Sequence, residues 1–464
     1  MTTRRDQLQS YQFMTQRVMS AFVMRETDPQ QSPLRRGIGA LFGGLMVAVL
    51  VAAGVGIYGL LTKVGGDSWR KPGSVVVEKE TGATYVYLDG RLHPTLNYAS
   101  ALLAAGRPGT PVVRVSSSTL SAVPRGVTMG IPNAPASLPA ADRQAGLPWT
   151  VCSAPATDDT GRTTDTVTLA LAARPVDGRG VGDDGLLVKD ATLGMNYLVW
   201  HGRRHLVQGS RVVVPALFGA VTPTPVGTAW LNALPAGVDL AALPVADRDD
   251  PSREVPGRRN GDVLVTQTAS GPQHYLVLTD GVAPITPVQQ AIQTGQSGRQ
   301  PVPVAVSAVT ALPKSGQLPR PADRGQPPAT PPKLLGPEPG QQLCAATSDA
   351  GTPPELTVGG TMPGADRAAP TGSVSPDGVP LADRIAAPAG RVTVLKLLGS
   401  PGAYSIVTDL GIRYAVPSAE ALRLLGYPAE GALVVPPSLT MLVPTGPTLD
   451  PRGAVRPAPV TVGG

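Results

Sequence analysis

The chain of 464 residues has little of the chemistry that marks an enzyme or a nucleic-acid binder. It carries two cysteines, Cys152 and Cys344, and neither sits in a CxxC spacing, so a cysteine-based metal ligand set is absent. His201 and His205 stand four apart, which on a helix would put two ligands on one face. Here they flank Gly202 in a segment that reads as a hairpin, with no third ligand in evidence, which argues against zinc. No Gly-x-x-x-x-Gly-Lys-Ser/Thr run exists to cradle a phosphate. Gly66-Asp67-Ser68 resembles a serine-protease fragment, but no positioned histidine or oxyanion hole accompanies it. The acidic run from Asp177 to Asp184 lacks EF-hand spacing and reads as a polar surface turn. Basic residues outnumber acidic ones 39 to 33, yet no long basic block carries the excess, so nucleic acid is not an expected partner. Aromatics are 4% of the chain, against 54 glycines and 51 prolines. That balance points to short elements joined by Pro-rich turns. Hydrophobic residues still make up 42%, enough for a core.

One long hydrophobic run is present. Ile38 to Leu61 contains no charge and, at about 1.5 Å per residue, would span about 36 Å as a helix, enough to cross a bilayer. A cleaved signal peptide would have a shorter apolar run nearer the start; a retained transmembrane helix is the reading adopted. Gly39 and Gly43 form a GxxxG spacing that can admit a second helix, and are candidate contact residues. Arg4, Arg5, Arg17, Arg25, Arg35 and Arg36 precede the run, whereas only Lys63, Arg70 and Lys71 follow closely. The excess of arginine before the span predicts a cytosolic N-terminus. The expected division is therefore a cytosolic tail over 1–37, the membrane helix over 38–61, and an extracytoplasmic domain over 62–464.

In the tail, Leu8, Tyr11, Val18 and Phe22 fall on one helical stripe with Thr15 in the middle. A basic amphipathic helix beside a membrane can lie on anionic lipid or pack on partner helices. Partner packing is the preferred reading, which makes these four residues interface candidates. Both cysteines fall on the outer side, where oxidising conditions favour a disulfide; two separate buried thiols are the alternative. A bridge would close a loop of about 190 residues and stabilise the fold by about 5 kcal/mol in the chain-entropy account.

Four segments of the outer domain share a pattern: Tyr85 to Gly90, Tyr197 to Gly202, Tyr275 to Gly281 and Tyr404 to Gly411. Each is a β-prone run ending in Asp or His with Gly just after, a hairpin signal. A short extended stretch and usually a helix follow, as at Ser100–Gly106, Gln289–Ile292 and Ser418–Gly426. The copies are unevenly spaced, so no fixed-period solenoid results. Ala-Asp-Arg recurs five times, at Asp142, Asp247, Asp323, Asp366 and Asp383. Five dispersed copies suit turn-capping aspartates with surface arginines better than one active site. The Pro-rich stretches 299–340 and 352–390 read as outer or mobile loops.

These pieces carry a family resemblance. Gln7-Leu-Gln-Ser-Tyr11-Gln12-Phe13, the late span, Trp69, Thr84-Tyr85-Val86 and Pro94 to Ala101 begin it. Gly130-Ile-Pro-Asn-Ala-Pro135, Trp149-Thr-Val-Cys152, Leu343-Cys344, Val407 to Pro417 and Leu442 to Pro447 continue it in order. The chain resembles EccB, a membrane component of type VII (ESX) secretion systems, over nearly its whole length. Its Ala-rich linkers and short Pro-containing cytosolic stretch depart from that pattern. The resemblance implies an α+β, β-rich fold: a single N-terminal transmembrane helix, then an elongated extracytoplasmic domain of four degenerate strand-turn-strand-helix modules around a central β region. It also implies a scaffold role without a cofactor, self-association, and partners in the FtsK/SpoIIIE-like ring ATPase EccC, the multi-pass EccD, EccE and a mycosin protease. The alternative is an ATP-hydrolysing or cell-wall-binding component of the same system; the missing phosphate loop speaks against ATP hydrolysis.

Overall fold

The computed structural model describes residues 3–24, 34–62, 69–157, 161, 163–318, 324–397 and 402–459. The chain divides into two compact units, Met1–Arg70 and Lys71–Gly464.

Among the described residues the N-terminal unit has two α-helices, α1 (Arg4–Met24) and α2 (Leu34–Thr62). Thr3 starts α1: its backbone N–H and hydroxyl both donate to the Asp6 carboxylate, at 3.1 and 2.5 Å. This is the return half of a capping box, which satisfies donors that a helix start leaves orphaned. Those bonds hold the Asp6 carboxyl below its ordinary value. Within α2, Gly37–Tyr58 has a mean hydropathy of 2.4 and is long and apolar enough to cross a membrane. The helix itself begins four residues before Ile38, so Arg35 and Arg36 lie in its first turn. Lys63 and Gly66-Asp67-Ser68 lie outside the described residues.

The C-terminal unit is built from one motif used four times. The first copy comprises β1 (Ser74–Glu78), β2 (Thr84–Leu88), β3 (Arg91–Pro94), α3 (Tyr98–Ala105), β4 (Val112–Val115) and the short α4 (Ser117–Leu120). Its sheet order is β3-β2-β1-β4, with β1 to β3 an antiparallel meander and β4 returning parallel to β1. A parallel return needs a crossover, and α3 supplies it. Asn97 caps α3 by accepting from the Ser100 N–H at 2.9 Å, and Gly106 ends it at φ 67°. The β2–β3 turn, Asp89-Gly90, has φ 48° and 73°. Positive φ at both central residues is what the tight hairpin turn requires.

The chain then enters a central sheet through β5 (Trp149–Thr157), β6 (Thr163–Leu171) and β7 (Arg179–Gly180). The second module follows as β8 (Leu186–Asp190), β9 (Asn196–Trp200), β10 (Arg203–Leu206), α5 (Ser210–Phe218), β11 (Thr224–Val226) and α6 (Thr228–Ala233). The third is β12 (Val263–Thr268), β13 (Gly271–Leu278), β14 (Gly281–Ile285), α7 (Pro287–Ser297), β15 (Val302–Pro303) and α8 (Val306–Thr310). The central sheet resumes with β16 (Leu343–Thr347), β17 (Glu355–Val358), β18 (Ala369–Pro370) and β19 (Arg384–Ala386). The fourth module closes the fold: β20 (Thr393–Leu397), β21 (Tyr404–Val407), β22 (Arg413–Val416), α9 (Ala419–Leu424), β23 (Leu433–Val435) and α10 (Pro437–Thr440). All four module sheets have the same strand order, and the central sheet runs β18-β19-β6-β5-β16-β17-β7.

The expected modules around a β centre are therefore present, each larger than the strand-turn-strand-helix reading by a leading strand and a return strand. They pair through their helices. Val213 and Val214 of α5 share a core with Val288 and Ile292 of α7, and Leu102 and Leu103 of α3 share another with Leu422 and Leu424 of α9. The Pro-rich stretch 352–390 is not simply outer loop: it supplies β17, β18 and β19, with Met362, Ala368 and Ala382 buried. Short two- to four-residue strands can tolerate flanking prolines at sheet edges. Ala382-Asp383-Arg384 also departs from the turn reading, since Asp383 Oδ2 accepts from the Val167 N–H of β6 at 2.7 Å. Asp247 does sit in a turn, at φ 46°, and Arg367 pairs with its neighbour Asp366 at 3.8 Å. Ala322-Asp323 lies outside the described residues.

Candidate functional site

The residues with a readable task are structural. Cys152 on β5 and Cys344 on β16 are directly opposite one another in an antiparallel ladder and form a disulfide, with Cα atoms 4.0 Å apart and a sequence separation of 192. Both are buried among Ala170, Met362, Ala368 and Ala386. The second and third modules lie entirely within the loop that this bond closes, so it ties β5, on which the chain enters the central sheet, to β16, on which it returns after that pair.

A second device recurs in each module and was missed at the sequence level. After the return strand and its short helix, the chain comes back to the open edge of the third meander strand. Parallel bridges Leu92 to Arg125, Arg204 to Ala236, Val282 to Lys314 and Arg413 to Thr445 form there. The sequence signal is an apolar residue, then Pro, then Gly: Val123-Pro124-Arg125-Gly126, Leu234-Pro235-Ala236-Gly237 and Val443-Pro444-Thr445-Gly446. The glycines are needed for close approach. A Cβ at Gly126, Gly237 or Gly446 would strike the ring of His93, His205 or Tyr414, respectively. Those rings occupy one equivalent position, the residue after the bridge. In the third module that position is Ala283, and Ser315 inserts before Gly316, which faces open space. The third latch has thus lost both the ring and the close glycine.

His205 is fully buried, and its Nδ1 donates to the Val238 carbonyl at 2.7 Å, while Nε2 finds no partner. Burial pushes its imidazole below the ordinary value, as it does for His274. His201 instead stacks on Trp200 at 3.8 Å and bonds Asp183 Oδ1 at 3.0 Å from an exposed turn. The two histidines are not brought together as a ligand pair. Among the described residues no group of three or more His, Cys, Asp or Glu is placed to hold a metal.

Arg125 lies over Tyr85 at 4.5 Å, Arg204 over Tyr197 at 6.0 Å and Lys314 over Tyr275 at 5.7 Å. Arg125 and Lys314 belong to the latch, so these cation–π contacts hold it against the meander in the first and third modules, whereas Arg204 and Tyr197 both lie within the meander of the second. In the fourth module Ser405 takes the tyrosine's place in register, and Arg413 instead donates to Thr445 Oγ1 at 3.0 Å. Burial lowers the affinity of Arg413 for its proton.

The N-terminal candidates are exposed. Leu8, Tyr11, Val18 and Phe22 of α1 are 62%, 76%, 60% and 89% accessible, and Phe13, Met14 and Met19 are open as well. The apolar surface of α1 is accordingly wider than one stripe, since Phe13 points away from it. Gly39 and Gly43 have no atom within 4 Å of where a Cβ would stand. That leaves the α2 face free for lipid or another helix.

One helix long and apolar enough to cross a membrane, together with a disulfide-locked domain of four repeated modules, defines a class of membrane-complex component with a single candidate span. The comparisons give the family. The family described as "Type VII secretion system ESX-1, transport TM domain B" matches residues 1–458, and the chain belongs to it. A relative from Mycolicibacterium smegmatis (strain MKD8), named "ESX-1 secretion system ATPase EccB1", is 30% identical over 98% of this chain and 95% of its own length. "ESX-2 secretion system ATPase EccB2" of Mycobacterium tuberculosis is 33% identical over 61% of this chain and 57% of its own. Among solved structures, a chain of "Structure of an intact ESX-5 inner membrane complex, Composite C3 model" matches with TM-score 0.64 and 25% identity, covering 99% of this chain and 96% of that one. A chain of "Structure of EccB3 dimer from the ESX-3 core complex" matches with TM-score 0.62 and 26% identity, covering 82% and 99%.

Proposed function

We propose that this protein is a structural scaffold subunit of a type VII secretion inner-membrane complex, supporting protein export across the cell membrane. The observation that carries the reading is the build of the C-terminal unit: four paired modules, latched edges and a disulfide, on a single membrane helix. This is architecture for holding neighbours in place. The likeness over nearly the whole chain to a subunit solved within an ESX-5 inner membrane complex supports it. The arginine bias around α2 supports a cytosolic N-terminus and an extracytoplasmic C-terminal unit, where the disulfide would persist. In this reading α1, through Leu8, Tyr11, Val18 and Phe22, and α2, through Gly39 and Gly43, pack on membrane and cytosolic helices of EccC, EccD and EccE. The outer modules meet further copies of this chain and a mycosin protease.

A second reading follows from the word ATPase in the relatives' names. Phosphoryl transfer depends on positioned phosphate-binding groups and a metal, and this sequence carries no Walker loop. The full-length protein, purified with its complex and again alone, separates the two. The scaffold reading expects recovery of the complex and no ATP turnover by the protein alone. Turnover by the isolated protein that survives removal of the ring ATPase would overturn it.

A further inference from the structure

Three segments far apart in the chain meet at a cleft of about 300 Å³: the far ends of β5 and β6, the approach to β11, and the stretch that leads into β16. Five prolines line it, Pro155, Pro223, Pro225, Pro337 and Pro339. Proline rings have almost no rotamer freedom to lose on contact, so this apolar surface is already in shape. They also offer no N–H, which bars a strand from pairing along the cleft and leaves a side chain as the natural occupant. Ligand pockets run from about 300 to 1,000 Å³. A cleft at the small end of that range suits one long side chain.

A carboxyl group stands in this surface without a partner. Asp165, opposite Pro155 in the β5–β6 hairpin, is partly buried. Loss of water alone pushes its carboxyl above the ordinary value, and no cation or hydrogen-bond donor draws it back. Other covered carboxyls in this unit are answered. Glu78 accepts from the hydroxyls of Thr81 and Tyr85, and Asp190 from the N–H groups of Thr192 and Leu193 and the hydroxyl of Thr228. Asp383 accepts from the Val167 N–H. The remaining lining does not supply the charge that Asp165 lacks. Glu338 also lines the cleft, and among the described residues no Lys, Arg or His does. Lys189 stands opposite Pro225 in the β8–β11 register, but it does not line the cleft and has no part in the shift of Asp165. The cleft is short of a cation.

We infer that this cleft receives a lysine or arginine side chain of a partner polypeptide, with its aliphatic stem on the proline rings and its cationic head paired with Asp165. Such side chains carry an apolar stem and a charged head, the two surfaces the cleft presents in complement. A carboxylate held out of water without a partner costs the free chain stability, and the incoming cation relieves that cost. The inference rests on the C-terminal unit being an assembly surface, but it is measured on the isolated full chain. Side-chain binding can therefore fail while the complex still forms, and the reverse.

The test uses the full-length protein in detergent and ligand-observed saturation-transfer NMR. The probes are blocked pentapeptides of glycine with arginine, lysine or citrulline at the centre, and the free cation agmatine. Arginine or lysine peptide should bind at least about tenfold more tightly than the citrulline peptide, which keeps arginine's shape without its charge. Asp165→Asn should reduce both cationic peptides to the citrulline level, and its melting temperature should not fall below that of the wild type. Asp366→Asn, an exposed carboxylate elsewhere, should leave binding within about twofold. Failure of both cationic peptides to bind, equal binding of the citrulline peptide, or wild-type binding by Asp165→Asn would each overturn the proposal. A lowered melting temperature for Asp165→Asn would make the carboxyl a structural group and overturn it too. So would uptake of agmatine with both peptides refused, which would give the cleft to a free organic cation.

Discussion

Gly237→Ala tests the latch most sharply. A Cβ at this position would lie 2.3 Å from His205 Cε1 and 2.5 Å from Nδ1, where carbon atoms normally rest about 3.5–4.0 Å apart. The ring must therefore move by roughly 1 Å or more, or the strand must lift. His205 has no free space to move into, being fully buried, and moving it breaks the 2.7 Å bond to Val238. Overpacking costs about 1–3 kcal/mol and the lost bond about 1 kcal/mol, giving about 2–4 kcal/mol. No left-handed backbone is involved, so the effect is purely steric. The cost should appear locally, in native-state hydrogen exchange at the amides of residue 237 and Leu240, which bond the carbonyls of Arg204 and Leu206 at 2.8 Å each. Their exchange should speed up roughly 30- to 900-fold. Gly316→Ala, which meets open space, should change its neighbourhood by no more than about 0.5 kcal/mol. Equal effects at the two glycines, or none at residue 237, would refute the idea that ring and glycine lock three of the four modules.

Three further outcomes are expected. The His205 imidazole has a folded pKa pushed below its unfolded value by burial, so its contribution is present above about pH 6.5 and is lost as pH falls through the lower folded value. Urea midpoints should drop on acidification, and His205→Tyr, which copies Tyr414, should flatten that slope apart from the part owed to His274; an unchanged slope would count against it. Cys344→Ser should destabilise the C-terminal unit by up to about 5 kcal/mol, and native unreduced protein should show no reactive thiol; a melting temperature unaffected by the substitution would contradict this. Tyr11→Asp with Val18→Asp should weaken association with the secretion complex in detergent extracts by more than about tenfold, since each buried side chain is worth about 1.5–3 kcal/mol. Full co-purification would move assembly to the outer modules.

What could be read from sequence depended on how local the cause was. The membrane helix announced itself through a charge-free run from Ile38 to Leu61, and its flanking arginines extended it in the structure to Leu34. The β2–β3 hairpin was legible because Asp89-Gly90 can adopt two positive φ values cheaply, and Ser418 and Gly106 marked helix ends by their capping chemistry. Helix α5 was not foreseen because Pro215 is the sixth of its nine residues, where a proline costs the helix a hydrogen bond; the helix instead rests on the core its Val213 and Val214 share with α7. The return strands are runs of two to four residues among prolines, and β17 to β19 hide in the same way, their pairing decided by sheet neighbours far off in the chain. The latch was written in the sequence as apolar-Pro-x-Gly, but its partner rings stand about 30 residues earlier, and Ser315 interrupts the third copy. The interface candidates on α1 were legible as exposed apolar residues.

The most direct test of the scaffold reading is the native mass of the detergent-extracted secretion complex from cells lacking this protein, measured beside the ATP turnover of the ring ATPase in the same extract. The account predicts that the complex falls into smaller assemblies, that export stops, and that the ring ATPase purified from these cells retains its own ATP turnover. A full-sized complex without this chain, deficient only in ATP hydrolysis, would contradict it.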